Sequence, residues 1–211
     1  MAISAKQKQK KLEKKKRKLT KKSLSLGVHL RDAASNYSSF PIHECFSPNS
    51  LFETGIGYVI VTRRAPDGNI AISAFVVDVY CLGVKNALFK VSIESEYENT
   101  IKPRLMGYNQ GQDFENIHPA CARKLVEGAV LYANELGFSP HRDYKGAKDI
   151  FGDIDISSCP VKYEYGKDGV PFYIRGPNES VAQAKRIVDQ LSARCGEGNY
   201  NYLAMLDDVV I

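Results

Sequence analysis

No run of about 18 consecutive apolar residues occurs in this 211-residue sequence, which argues against a membrane-spanning helix. An export signal is also missing: lysines stand where its apolar core would lie, so Sec-type export is disfavoured and a cytoplasmic protein is expected. Cysteine is scarce and unpatterned. Cys45, Cys81, Cys121, Cys159 and Cys195 are odd in number, lie far apart and form no C-x-x-C pair. That suits reduced thiols in a cytosol better than a disulfide framework. No Walker A, G-x-S-x-G or H-E-x-x-H motif is present, nor H-x-E paired with P-C-x-x-C. Gly55-Ile56-Gly57 precedes its strand and opens no helix, so the dinucleotide fingerprint fails as well. No repeat of 20 to 50 residues stands out.

Negative charge is nearly missing from one part of the chain. Over residues 1–23 the single acid Glu13 faces eleven cations: Lys6, Lys8, Lys10, Lys11, Lys14, Lys15, Lys16, Arg17, Lys18, Lys21 and Lys22. The local balance is +10, and the chain's net +5 therefore leaves −5 for residues 24–211. So many like charges with almost nothing apolar to bury predict a disordered basic tail. A polyanion would relieve the repulsion and let residues 5–19 coil, because Lys, Gln, Glu, Leu and Ala are good helix formers. RNA is the expected partner, bound through counterion release at its phosphates. A solubility or nuclear-address role for the KKKRK stretch at 14–18 is the alternative use. A membrane surface is disfavoured, since no apolar face accompanies the lysines.

What remains has 44% apolar residues across the whole chain to draw on, enough for one substantial core. Residues 24–50 show no clean period and are expected to be a docking segment for a single domain over 51–211. Two apolar, β-branched runs, 56–64 and 70–82, flank Ala65-Pro66-Asp67-Gly68-Asn69 and predict a hairpin. After Gly83, VKNALFK is expected to form a short helical turn. Alternation of Val91, Ile93, Ser95 and Tyr97 with acids predicts a third strand, and residues 103–117 a long loop. His118-Pro119 starts a helix whose stripe of Cys121, Leu125, Ala129, Tyr132 and Leu136 ends at Gly137. Ser139-Pro140 starts a second, to about Phe151, and residues 178–195 form a third, ended by Gly196. A second hairpin is expected from 161–165 and 170–175. The sum is an α+β fold: an antiparallel sheet of two hairpins plus an extra strand, with about three packed helices.

Three constellations carry candidate chemistry. His43-x-Cys45 and His118-x-x-Cys121 could supply zinc with two nitrogens and two sulfurs, although the spacing is loose and Cys121 lies on an apolar stripe, so no cofactor is expected. Asp78, inside AFVVDVYCL, must be paired if its strand face is covered. Joined by Glu94, Asp153 and Asp155 it would make a metal-dependent nuclease or other hydrolase; joined by Arg63, Arg64 or Lys85 it is structural. Finally, Tyr163, Tyr165, Phe172 and Tyr173, interleaved with Lys162, Lys167 and Arg175, could stack on unpaired bases. GVPFYIRG lacks the aromatic order of the RNA-recognition consensus.

The strings ETGIGYVIVTRR, FVVDVYCLGVKNALF, LYANELGFSPHRDY and YGKDGVPFYIRGPN resemble stretches of uncharacterised bacterial proteins with no assigned activity. The resemblance implies a discrete body with its own core. The sequence therefore points to an RNA-binding accessory protein, associated with the ribosome or another structured RNA, whose basic arm meets phosphate and whose acidic body positions it. The sequence carries no signal for the oligomeric state.

Overall fold

The computed structural model describes residues 33–107 and 113–204. Their centre is a five-stranded antiparallel sheet of order β4-β3-β2-β1-β5. It comprises β1 (Ile42–Pro48), β2 (Ile56–Arg64), β3 (Asn69–Asp78), β4 (Gly83–Ile93) and β5 (Phe114–Asn116). The first expected hairpin is β2–β3, paired from Ile56↔Asp78 to Arg64↔Ile70. The strand from 70 onward lacks polar alternation because both its faces are covered. One face presents Val59, Val61, Ala71, Phe75 and Val77 to the helix α3 (Pro119–Glu135) and to Tyr144 and Phe151, whose ring stacks 5.5 Å from Phe75. The other presents Ile60, Ile70, Ile72 and Ala74 to Tyr97 and Leu105. A ring buried as Phe75 is contributes about 2–3 kcal/mol of transfer free energy.

Helix boundaries follow local chemistry, beginning with the single turn α1 (Leu51–Thr54), which ends at Gly55 with φ +82°. In α3, Pro119 stands at the first turn and the imidazole of His118 accepts the Ala120 N–H. The second helical segment is shorter than expected, an α-turn α4 (Tyr144–Ala147) continued by a 3-10 turn over Lys148–Phe151. Helix α5 (Val181–Cys195) opens with a capping box between Ser180 and Gln183, and ends at Gly196. Its Ala184, Val188 and Leu191 pack with Leu82, Leu136 and Tyr173 in a cluster apart from the sheet's. Among the described residues no helix is long and apolar enough to cross a membrane.

Several expectations are corrected. VKNALFK is strand: β4 pairs with β3 from Gly83 to Ile93, sending Ala87, Phe89 and Val91 inward. The alternation stops at Ile93, which is exposed. A helical turn at Glu94–Glu96, a π-helix at Tyr97–Ile101 and the helix α2 (Lys102–Gly107) then lay Tyr97 and Leu105 on the second sheet face. Burial of those two side chains outweighs the period-two pattern. The segment 161–165 is not a strand, because its tyrosines lie against α3 and Phe52. A tight turn remains, with the bridge Lys167↔Val170, but β6 (Phe172–Ile174) pairs in parallel with β7 (Asn201–Leu203). From residue 33 on, the expected docking segment belongs to the body, and β1 sits between β2 and β5. Its irregular pattern has a cause: a bulge between Ile42 and Glu44. The cysteines are also not all reduced, since Cys121 and Cys159 form a disulfide with Cα atoms 4.9 Å apart. Both sulfurs come from buried positions beside one another, α3 supplying one and the segment after Ile156–Ser158 the other, a proximity that spacing in sequence does not reveal.

Candidate functional site

Asp78 ends β3, and the turn that follows folds back over it. Its Oδ1 accepts the N–H groups of Tyr80 (3.0 Å), Cys81 (2.9 Å) and Leu82 (3.3 Å). Gly83 can close this turn because it sits at φ +66°, and a Cβ there would lie 2.8 Å from the Ala133 Cβ. Asp78 is 6% exposed. Burial pushes its carboxyl above the ordinary range, against the pull of the three N–H groups and Lys85. Lys85 itself bonds Glu179 at 2.6 Å, and the other Glu179 oxygen accepts from Tyr173 Oη (2.7 Å) and Gly176 N (2.9 Å). Burial works against the Glu179 charge, yet these donors outweigh it and hold the carboxyl below the ordinary range. A cavity of about 210 Å³ opens here, with Asp78, Tyr80, Lys85, Phe172 and Arg175 in its wall.

The acids proposed to join Asp78 do not. Glu94 follows Ile93, which pairs with Asn69 at the far end of the ten-residue β3, about 30 Å away. There it bonds Arg64 at 2.5 Å, and that hydrogen bond holds its carboxyl low. Asp155 accepts from Ser157 N and Oγ as the cap of a 3-10 turn. Asp153 acts on Arg63, whose buried guanidinium donates to the carbonyls of Phe40, Ile150 and Phe151. Of the suggested cationic partners only Lys85 lies near Asp78. The structure gathers no paired-carboxylate centre around it among the described residues.

The proposed zinc ligands are dispersed as well. Ordinary alternation would put His43 and Cys45 on one face. The bulge reverses this: Ile42 and Cys45 face the α3 side, whereas His43 and Glu44 both face Tyr97, whose ring lies 6.1 Å from the imidazole. Burial pushes the Cys45 thiol up to about 12, unsuited to ligation as thiolate. His118 caps α3 and Cys121 is in the disulfide. What the bulge does assemble, and the spacing hid, is a different trio. Ligating atoms of His43, Glu44 and Glu98 lie within 4.8 Å of one another.

The second aromatic set is mostly core. Tyr163 stacks on Phe52 at 5.6 Å, and Tyr165 stacks on Tyr132 and donates to Leu125 O. Tyr173 is fully buried. Phe172 alone of the four lines the cavity, with Lys167 Nζ 5.1 Å from its ring centre. The eleven cations proposed to meet RNA lie outside the described residues. Comparison of the chain with protein-family models, with curated proteins and with solved structures finds no match.

Proposed function

We propose that this chain is an RNA-binding accessory protein of the cytoplasm, associated with the ribosome or another structured RNA, whose residues 1–23 neutralise the phosphate backbone. The observation that carries this is the charge division, +10 over those 23 residues against −5 for the rest. A short dense cationic arm gains affinity by releasing condensed counterions, while an acidic body is repelled by continuous phosphate and so favours docking over coating. The dispersal of Asp78, Glu94, Asp153 and Asp155 removes the support for the nuclease alternative. The Cys121–Cys159 disulfide is shielded from reduction, since the two residues are 5% and 4% exposed and thiol exchange needs access to a sulfur.

The test compares the full chain with a full-length variant in which the eleven cations are glutamine, by filter binding to a structured ribosomal RNA between 50 and 400 mM KCl. For the natural chain log K should fall against log salt with a slope of roughly −5 to −9, as six to ten phosphate contacts require. The variant should bind at least a hundredfold more weakly at the lowest salt, with a flat dependence. Equal binding by both chains across the series would dismiss the arm as the contact.

A further inference from the structure

The geometry points to the cavity beside Asp78 as a site for one unpaired nucleobase of a bound RNA strand. It rests on the reading of the chain as an RNA-binding protein, yet needs no contribution from the arm. What asks for a ligand is the carboxyl itself. Its Oδ1 takes three peptide N–H groups, whereas its Oδ2 takes no hydrogen bond from any described residue. That oxygen belongs to a side chain that is 6% exposed and lines the cavity. A buried polar atom left this way is costly, and a donor brought in by a ligand satisfies it. The wall already holds a cation beside Asp78, since Lys85 is bound to Glu179 at 2.6 Å. The missing partner is therefore a neutral N–H rather than a further charge.

The rest of the wall suits a flat ring. Phe172 and Tyr80 line it with aromatic side chains whose ring centres are 5.9 Å apart and tilted by 41°. The Tyr80 hydroxyl donates to Glu53 O at 2.7 Å, and Gly55 leaves room for its ring, which a Cβ there would meet at 2.2 Å. The cavity, at about 210 Å³, falls below the roughly 300–1,000 Å³ of sites for drug-sized ligands, so it holds one ring system and not a strand. A base combines faces that stack with an edge on which a donor N–H neighbours an acceptor. Such an edge suits the carboxyl ionised or protonated, because a protonated carboxyl adds an O–H donor and keeps acceptor capacity. Ile56 and Ile174, 37% and 39% exposed, continue the apolar wall to the surface. Cations stand near for the phosphate. Arg175 lines the cavity with its Nε 2.8 Å from Glu179 O, and Lys167 Nζ lies 5.1 Å from the Phe172 ring centre.

The test measures anisotropy of a labelled single-stranded octanucleotide of mixed sequence, and of the same strand annealed to its complement, on the full chain at one moderate KCl concentration. F172L removes the aromatic face and keeps an apolar side chain. D78N keeps Oδ1 for the three N–H groups and puts an amide NH2 where Oδ2 stood. Each should weaken single-strand binding by about tenfold, the order that one base stack or one base-edge mismatch supplies. Duplex binding should be unchanged, because a paired base cannot enter the cavity. I174E, at an exposed position of the wall, should act likewise by repelling the phosphate, and it tests the site even where F172L disturbs the fold. The chain with its eleven arm cations replaced by glutamine should bind both RNAs more weakly and still lose about tenfold on the single strand when F172L is added. The site is overturned by single-strand binding indifferent to F172L and D78N, or by equal losses on strand and duplex. It is overturned equally by a nucleoside monophosphate that displaces the strand as effectively as unlabelled strand does, which would assign the cavity to free nucleotides. Equal binding by the natural and arm-neutral chains, with F172L still weakening the strand, would dismiss the arm and uphold the cavity.

Discussion

Asp78 is the residue at which burial and charge conflict most openly. A carboxylate out of water is costly unless it is hydrogen bonded, and here three peptide N–H groups converge on one oxygen. They oppose the desolvation without cancelling it, so its folded-state pKa lies above the ordinary 3.8. The folded protein then holds this proton more tightly than the unfolded chain does. The stability it contributes is present below about pH 4 and is lost as pH rises through the folded-state value. Asp78→Asn keeps the accepting oxygen and cannot ionise. Urea unfolding from pH 4 to 8 should therefore show the variant gaining on the natural chain by about 1.4 kcal/mol for each unit separating the two pKa values, then holding level. Parallel profiles would refute this assignment. That Asp78 needed partners was legible in AFVVDVYCL. That they would be the N–H groups of its own turn was not, since this depends on how residues 79–82 close.

Among the elements, α3 and α5 were the most legible because the groups that begin and end them are their sequence neighbours. The Ser180 hydroxyl accepts the Gln183 N–H, and the Gln183 side chain accepts from Ser180 N at 2.8 Å. Ser180→Ala removes the first bond and should lower stability by about 1 kcal/mol, read as a fall in Tm by circular dichroism, while Ser180→Thr should nearly restore it. A Tm equal to that of the natural chain would mean that other groups satisfy the helix start. The strands were harder. Residues 83–93 carry no helix-breaking residue after Gly83, and only the free edge of β3 decides that they pair. β1 was hidden by its bulge: an extra residue shifts the apolar pattern by one position and makes a sheet strand look aperiodic. The same shift separated His43 from Cys45 and set it beside Glu44.

At the scale of the whole molecule the disulfide connects parts that the sheet does not. It ties α3 to the segment carrying Ile154 and Tyr163, closing a loop with a sequence separation of 38 residues. Constraint of a loop that long in the unfolded chain corresponds to about 4 kcal/mol, and Cys159→Ser should lose stability on that order in guanidinium titrations. Thiol counting in denaturant gives the direct check: three reactive thiols before reduction and five after, with five before reduction excluding the bond. Charge is also divided along the chain, with residues 1–23 carrying a net +10 and the remainder a net excess of acid.

By itself the sequence settled the charge division, the β2–β3 hairpin, the limits of α3 and the end of α5. Each depends on residues adjacent along the chain, through turn chemistry, capping or periodic burial. Tertiary structure alone decided which side chains meet: Cys121 with Cys159, Lys85 with Glu179, and His43 with Glu44 and Glu98. Such meetings follow from strand register and from what covers each sheet face. A one-residue bulge alters both while leaving local propensity almost untouched.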